Sequence, residues 1–263
     1  MKKVLYVSLA MLLFIACKET KKEEATSEMA DTTITTSSAS DALTINPISH
    51  ATAVLEWEGT TIYIDPVGGA KAFENQKKPG LILITDIHGD HFSLETLDSL
   101  DTSMAKIIVP QAVADKMTEK YRAQLEILNN GDSKMYNEIT VEAIPMYNLR
   151  EEALNFHTKG RGNGYILSMG DQRIYFSGDT EDIPEMRALK NIDKAFICMN
   201  LPYTMTEQSA ASAVLEFKPK EVYPYHYRGN PDVSDVSKFK NLVNEGDDTI
   251  KVIQLDWYPD AEY

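Results

Sequence analysis

The feature that most constrains the fold is an uninterrupted apolar run at residues 81–85 (LILIT), followed at once by the polar segment 86–91 (DIHGDH). Such a run predicts a buried strand, because a strand with one solvated face alternates apolar and polar side chains. A buried strand needs structure on both faces of its sheet. The rest of the chain must therefore supply the strands and helices that cover it.

Two hairpins are predicted from pairs of short apolar runs that flank turn residues. The first joins residues 51–57 to 61–64, and the second joins 165–169 to 173–177. Further strands are predicted at 106–109, 126–128, 139–145, 195–200, 221–225 and 251–255, and helices at 93–100, 111–119, 206–217 and 234–243. Each half starts with a hairpin and continues with alternating strands and helices. This order predicts an α+β fold of the αββα type, with two mixed β-sheets packed face to face and helices outside.

The N-terminal segment has the features of a processing signal. Lys2 and Lys3 precede an apolar stretch, residues 4–16, that is too short to cross a bilayer, and Ala16 stands directly before Cys17. The segment resembles a bacterial lipoprotein signal, which implies cleavage before Cys17 and attachment of lipid to that cysteine. An ordinary cleaved signal peptide is the alternative. The resemblance predicts a protein of the bacterial cell envelope, lipid-anchored to the outer membrane and facing the periplasm or the surface.

Residues 18–40 are charged, rich in Ser and Thr, and nearly free of large apolar side chains. Such a segment cannot bury enough apolar surface to offset the entropy lost on ordering, so it predicts a disordered tether. The expected organisation is a signal peptide at 1–16, a lipidated tether at 17–42 and one domain at 43–263.

The formal net charge of the chain is −14, which makes an extended nucleic-acid groove unfavourable because it would repel phosphate polyanions. The expected partner is a small-molecule substrate, with the membrane contacted only through the lipid anchor. Cys17 and Cys198 are the only cysteines and cannot build a disulfide framework. Cys198 lies inside a predicted strand and is interpreted as a buried, inert thiol.

The segment after the buried strand combines carboxylates and imidazoles, which divalent metal ions of intermediate hardness accept as ligands. In an extended backbone, Asp86, His88 and Asp90 would point to one face, because side chains alternate along a strand. Asp90 and His91 are adjacent and diverge, so they can serve a second ion. Gly89 is expected to permit the tight backbone that this divergence requires.

Followed in order by His157, Asp179 and His226, this segment resembles the His-x-His-x-Asp-His signature of the metallo-β-lactamase superfamily. The resemblance covers residues 43–255 and is nearest to the lactonase-like and phospholipase-D-like branch. It implies a first metal ion on Asp86, His88 and His157, a second on Asp90, His91 and His226, and Asp179 as the bridge between them. Asp86 stands where most members have His. Zinc is the expected metal, and the oxygen ligand at Asp86 keeps manganese or iron as alternatives.

His50 resembles a histidine near the site in lactonase-like members. It is a candidate catalytic residue together with Asp90, and a core histidine bonded to backbone is the alternative. Asp65 ends a predicted strand and either orients a ligand histidine or serves as a turn residue before Pro66. The C-terminal aromatic residues Trp257, Tyr258 and Tyr263 either cover the core or contact a partner.

Three cations, Arg150, Lys159 and Arg161, flank His157 in a loop punctuated by glycine. In an acidic protein they indicate an anionic substrate or a clamp on a developing oxyanion, unless they are solvated loop charges. Asn200 lies near a predicted strand end and is a further candidate for the pocket wall. The candidate substrate-binding residues are Arg150, Arg161, Tyr147 and Tyr203.

The resemblance implies a metal-dependent hydrolase in which two ions activate a water that attacks a carbonyl or phosphoryl centre, with Asp90 moving the proton. The expected substrate is an ester, a lactone or a phosphodiester. The alternatives are a non-catalytic metal-binding envelope lipoprotein, a β-lactamase and a di-iron oxidoreductase. Against the last, di-iron members usually carry Glu at the position of His88, together with a flavin domain.

Overall fold

The computed structural model describes residues 43–259, which belong to one compact unit. The predicted signal peptide, the lipidation site at Cys17 and the tether lie outside the described residues, as does Tyr263. Among the helices of residues 43–259, none is long and apolar enough to span a bilayer.

The first sheet has six strands in chain order. They are β1 (Thr44–Ser49), β2 (Thr52–Trp57), β3 (Thr60–Ile64), β4 (Leu81–Leu83), β5 (Lys106–Val109) and β6 (Leu125–Ile127). Strands β1 to β3 pair antiparallel, and β3 to β6 pair parallel. The first predicted hairpin is confirmed, with Trp57 opposite Thr60 across the turn.

The second sheet has seven strands in the order β13-β12-β11-β10-β9-β8-β7. They are β7 (Ser133–Tyr136), β8 (Ile139–Met146), β9 (Gly162–Met169), β10 (Gln172–Phe176), β11 (Lys194–Cys198), β12 (Glu221–Tyr225) and β13 (Lys251–Val252). Strands β7 to β10 are antiparallel and β10 to β13 parallel, so both sheets are mixed, as predicted.

Six α-helices accompany the sheets in the described part of the chain. They are α1 (Gly69–Ala72), α2 (Leu94–Ser99), α3 (Gln111–Ala114), α4 (Pro184–Arg187), α5 (Glu207–Phe217) and α6 (Val236–Gly246). The Ser93 and Thr206 side chains cap α2 and α5 by accepting from amides three residues on. The predicted helix at 111–119 was too long: α3 ends at Ala114, and a separate 3-10 turn begins after Thr118, a residue type that favours caps over helix interiors.

Two strands escaped prediction because both lie at sheet edges and lack an alternating apolar pattern. Strand β1 contains Pro47, which an edge strand tolerates because its missing N–H leaves no ladder bond broken in the centre of a sheet. Strand β7 is largely exposed. At the other end of the same sheet, the predicted strand at 251–255 is shortened to the two residues of β13.

The core confirms the prediction that the apolar run at 81–85 forms a strand buried on both faces. Leu81 and Leu83 face the core shared by the two sheets, whereas Ile82 and Ile84 face the core under the helices that cover the first sheet. All four side chains are fully buried. Trp257 is also buried in the core between the sheets, so it covers the core.

Candidate metal centre

The segment after β4 is a turn and not an extended strand. The amides of His91 and Phe92 both donate to the carbonyl oxygen of His88, at 3.0 and 2.8 Å. The prediction that Asp86, His88 and Asp90 point to one face was therefore wrong, because the turn separates Asp90 from the first two. Gly89 does not have a positive φ, and a Cβ there would meet nothing within 4 Å, so the turn does not depend on glycine.

The remaining candidate ligands come from three other places in the chain. His226 directly follows β12, and Asp179 follows β10 after a tight turn. Gly178 in that turn has φ +60°, and a Cβ on it would lie 2.5 Å from the Met146 sulfur, so only glycine fits. His157, unlike His226 and Asp179, is not at a strand end. It lies in the loop between β8 and β9, after a 3-10 turn at Glu151–Ala153.

Four side chains, Asp90, His91, Asp179 and His226, form a compact group that we call the His226 cluster. The Nε2 atom of His226 lies 3.1 Å from His91 Nε2, 3.3 Å from Asp90 Oδ2 and 3.3 Å from Asp179 Oδ1. Ligands at 2.0–2.2 Å from a tetrahedral ion are roughly 3.3–3.6 Å apart. The distances around His226 Nε2 are close to this range, and the longer separation of His91 Nε2 from Asp90 Oδ1, 3.9 Å, needs only a small shift of the exposed Asp90 side chain to bring all four ligands around a small divalent cation.

An unpartnered acceptor supports this fit. The Oδ1 atom of Asp179 is buried and accepts no hydrogen bond from any described residue. Leaving a buried carboxylate oxygen without a donor costs roughly 1–3 kcal/mol or more, so such an atom is expected to face a cation. Burial would raise the pKa of the Asp179 carboxyl, but the neighbouring His226, His91 and His157 hold it well below its usual range.

His91 is held from behind by a buried carboxylate. Its Nδ1 lies 2.8 Å from Asp65 Oδ2 and 2.9 Å from Thr85 Oγ1, and Asp65 also accepts from the Thr85 amide at 2.7 Å. Asp65 thus occupies the place of a residue that orients a ligand histidine. Burial lowers the pKa of His91, but Asp179 and Asp65 outweigh it and raise that pKa well above the ordinary value. The position favours positive charge, which a metal ion would supply in place of the proton.

Asp86, His88 and His157 form a second group, which we call the His88 cluster. His157 Nε2 lies 3.1 Å from Asp179 Oδ2, and Asp179 Oδ2 is 3.4 Å from His91 Nε2. Asp179 therefore lies between the two clusters, at the position that a bridging ligand requires. Asp86 is fully buried, and its Oδ2 atom lies 2.9 Å from His88 Nδ1.

His50 stands behind Asp90. Its Nε2 lies 3.4 Å from Asp90 Oδ2, and its Nδ1 lies 2.6 Å from the Tyr258 hydroxyl. Its ring packs against that of His226 in a tilted arrangement, with the ring centroids 3.8 Å apart. Burial lowers the pKa of His50 despite the opposing effect of Asp90, so the imidazole is neutral near pH 7. Tyr258 is therefore part of the site. Sequence reasoning missed Tyr258 and Thr85 as parts of the site. Thr85 directly precedes the candidate ligand Asp86, whereas no nearby motif links Tyr258 to His50.

The predicted substrate-binding residues divide into two groups. Arg150 donates to Glu181 Oε1 at 2.6 Å and to the carbonyl oxygens of Pro202 and Thr204. These contacts hold loops together, and Arg150 is not among the residues that line the cavity at the clusters. Tyr147 is 8% exposed and donates to Glu185, to which Lys159 also donates, so these two residues form a separate network.

Tyr203 and Arg161 do lie at the candidate metal centre. A cavity of about 320 Å³ is lined by His88, Asp90, Phe156, His157, Asp179, Asn200 and Tyr203. Phe156 packs edge-on against Tyr203 at 5.2 Å. Arg161 pairs with Asp86 and reaches to 3.4 Å from His88 Nε2. A second cavity, of about 440 Å³, opens on the other side of Asp90 and His50.

Cys198 is buried in β11, as expected, and belongs to neither cluster. Its Sγ atom donates to the carbonyl oxygen of Thr180 at 3.4 Å. Burial raises the pKa of the Cys198 thiol to about 12. A thiol in this environment is neutral at physiological pH and is a poor metal ligand.

Known proteins are similar to this chain in both sequence and fold. A family model described as a β-lactamase superfamily domain matches residues 44–226. The chain is 30% identical over 208 residues to a metal-dependent hydrolase of Pyrococcus horikoshii, across 75% of this chain and 91% of the relative. A crystal structure from Parabacteroides distasonis, described as a metal-dependent hydrolase, has a TM-score of 0.73 at 35% identity and covers 82% of this chain and 94% of that one. A metallo hydrolase from Ignicoccus hospitalis shares the fold, with a TM-score of 0.69 at 23% identity over 81% of this chain and 94% of that one.

Proposed function

The chain belongs to the metallo-β-lactamase superfamily, and from that premise we propose that it is a metal-dependent hydrolase acting on an ester, lactone or phosphodiester bond. The observation that carries the proposal is the His226 cluster. Two imidazole nitrogens and two carboxylates converge to within 4.8 Å of one another, and two of these residues, Asp90 and Asp179, also line the cavity beside the His88 cluster.

The residues of the two clusters would hold divalent cations, with Asp179 between them. The chemistry that a cation held there would supply is a lowered pKa for a bound water and polarisation of the oxygen of the scissile bond. The mixture of nitrogen and oxygen ligands suits zinc, and the two carboxylates of the His226 cluster also admit manganese or iron. The P. horikoshii relative is named as metal-dependent, which supports this assignment.

Asp90 is the residue that links the clusters to the cavities. Its side chain is 43% exposed, whereas His91, Asp179 and His226 are buried. Burial would raise the pKa of the Asp90 carboxyl, but hydrogen bonds with His226 and His50 lower it well below the usual range. Asp90 therefore stays ionised, and it would accept a hydrogen bond from the attacking water and pass the proton of that water on to the leaving group.

His50 and Tyr258 support this step from behind. Neutral His50 can donate from Nε2 to Asp90 while its Nδ1 is engaged by the Tyr258 hydroxyl. Those contacts keep the Asp90 carboxylate oriented toward the cavity. On the opposite wall, Phe156 and Tyr203 offer aromatic surface to an apolar part of the substrate, and Asn200 offers an amide.

Hydrolysis can be tested with the full chain stripped of metal by a chelator. We expect no turnover of aryl esters, lactones or phosphodiesters until zinc or manganese is restored. His226→Ala should then lower kcat/KM by at least about 1000-fold, because it removes a ligand of the cluster. Asp98→Asn, on the surface of α2, is the control. A metal-loaded chain that hydrolyses no member of the panel would point to a binding protein on this fold.

The N-terminal resemblance adds a proposal about location. We propose that lipid on Cys17 anchors the enzyme to the bacterial outer membrane, so that it acts on substrates in the envelope. Cys17→Ser should move the chain from the membrane fraction to the soluble envelope fraction. Cys198→Ser serves as the control, since that thiol is buried. Equal membrane retention of both variants would contradict the anchor.

A further inference from the structure

Arg161 places a guanidinium inside the His88 cluster. Its Nε donates to Asp86 Oδ1 at 3.0 Å, and its Nη2 donates to Asp86 Oδ2 at 2.8 Å and to the Phe156 carbonyl oxygen at 2.5 Å. The arginine side chain is only 17% exposed, and Asp86 is fully buried. A two-pronged pair of this kind is strong and fixes both side chains, since fork and carboxylate match in geometry.

His88 is drawn into the same ion-pair network. Its Nδ1 lies 2.9 Å from Asp86 Oδ2, and its Nε2 lies 3.4 Å from Arg161 Nη2. If Nδ1 carries the proton that it donates to Asp86, the lone pair of Nε2 faces the guanidinium. Both oxygens of Asp86 and both nitrogens of His88 are thus engaged before any metal ion arrives.

The two clusters consequently differ in charge. The His226 cluster contains the carboxylates of Asp90 and Asp179 and two imidazoles, a set of charge −2 when the imidazoles are neutral. In the His88 cluster, Arg161 cancels the charge of Asp86. A divalent ion placed on Asp86, His88 and His157 would lie beside a fixed positive charge, and like charges a few ångströms apart repel strongly in a partly buried site.

This difference follows from the one departure of the sequence from the family signature. A histidine at position 86 would be neutral as a ligand and would leave no buried negative charge for an arginine to balance. With Asp86 in its place, the buried carboxylate needs a partner, and Arg161 supplies it.

These contacts refine the proposed function and rest on it. We propose that the chain holds one divalent cation tightly, in the His226 cluster, and that the Arg161 guanidinium takes the place of the second cation in the His88 cluster. A second ion binds only weakly there. The site thus has one metal ion and one arginine beside it, where the signature implies two metal ions.

The test is metal stoichiometry and affinity, which do not depend on turnover. Zinc and manganese are titrated separately into the metal-free full chain by calorimetry, and bound metal is measured by elemental analysis. We expect one tight equivalent, with any second equivalent bound at least about 100-fold more weakly. Asp90→Asn should weaken the tight equivalent, whereas His157→Ala should leave it in place.

Removal of the guanidinium should create the second position. Arg161→Gln is expected to tighten the second equivalent at least about tenfold, and the double change Asp86→His with Arg161→Gln should give two tight equivalents. Arg150→Gln is the matched control, because Arg150 lies on the same loop and also pairs with a buried carboxylate, that of Glu181. It should leave the stoichiometry at one. Circular dichroism on each variant checks that it folds. The double variant also restores the family signature at position 86, so it leaves no buried carboxylate without a partner.

The outcomes separate the two proposals. Two equivalents of similar affinity in the unaltered chain would overturn the inference and leave the proposed hydrolase intact. One tight equivalent that neither Arg161 variant increases would also overturn it, since the guanidinium would then not exclude the second ion. No bound metal in the unaltered chain would overturn the proposed function itself.

Discussion

Behind His91 lies the buried carboxylate of Asp65, whereas beside Asp86 lies the guanidinium of Arg161. Both supported residues belong to the same short loop after β4, and both are fully buried. The first support raises the affinity of its cluster for a cation, because a carboxylate makes the imidazole a better ligand. The second lowers it, since it neutralises the ligand. Contacts outside the ligand set therefore decide which of two similar clusters receives the metal.

The largest effect is expected at the residue that the two clusters share. Asp179→Asn removes the charge between His157 and the pair His91 and His226, so metal affinity should fall by more than about 100-fold. Calorimetric titration with zinc measures the loss. Asp182→Asn, three residues on in the same loop but paired with Arg187, is the control and should leave affinity unchanged. Retention of tight zinc binding in Asp179→Asn would show that the residue shared by the two clusters does not hold the metal ion.

The next effect separates the two supports. Asp65→Asn turns an acceptor into a donor at His91 Nδ1, which favours the wrong imidazole tautomer for metal binding at Nε2. We expect a loss of about 10–100-fold in affinity for the tight equivalent. Asparagine tolerates the φ of +44° at this position, so the backbone should persist.

The paired measurement is Asp86→Asn, which should change the same affinity by less than about threefold, because Asp86 serves the other cluster. Equal losses in the two variants would show that both clusters hold the tight ion. Thermal unfolding of each variant checks that the comparison is made between folded proteins.

A smaller effect is expected at the contact behind His50. Tyr258→Phe removes a hydroxyl that lies 2.6 Å from His50 Nδ1 and accepts from the Arg228 amide at 3.1 Å. Stability should fall by about 1 kcal/mol in urea unfolding, and kcat/KM by a few-fold because Asp90 loses part of its support. Tyr223→Phe, whose hydroxyl donates to Glu221 away from the clusters, should lose similar stability with no change in activity. An unchanged kcat/KM in Tyr258→Phe would show that the Tyr258 hydroxyl does not support Asp90 through His50.

The smallest effect is expected at Cys198, which lies near the Asp179 loop but outside both clusters. Cys198→Ala should change metal affinity by less than about twofold. Because burial raises the pKa of this thiol to about 12, the thiolate is scarce at pH 8 and forms only as the pH approaches that value. Reaction with a thiol reagent should be at least about 1000-fold slower than for a free cysteine, whose pKa is about 8.5. Fast labelling of the folded chain would contradict the burial of this thiol. A loss of metal in Cys198→Ala would show that the thiol is a metal ligand beside the carboxylates and imidazoles.

Local patterns predicted the elements that carry strong signals. The buried strand predicted at 81–85, the first hairpin and the helices predicted at 93–100 and 206–217 all appear in the structure, because burial on both faces, tight turns and helix starts each select distinct residue types. The edge strands β1 and β7 were missed, since a strand that pairs on one side and faces solvent needs no apolar periodicity.

The loop at 150–161 shows where local pattern stops being informative. Arg150 and Arg161 have the same chemistry and similar surroundings in sequence, yet one ties loops together through Glu181 and the other enters the His88 cluster. Nothing within a few residues of either distinguishes them. Their partners lie 31 and 75 positions away in the chain.

The sequence by itself determined the ligand types, their order and the αββα architecture, because ligand chemistry resides in single side chains and strand burial in short runs. Only the tertiary structure decided that the loop after β4 turns and divides its ligands, that Asp65 stands behind His91, and that Arg161 neutralises Asp86. The physical reason is that charge pairing and hydrogen bonding depend on distances between atoms that are remote in sequence, and those distances exist only once both sheets have packed.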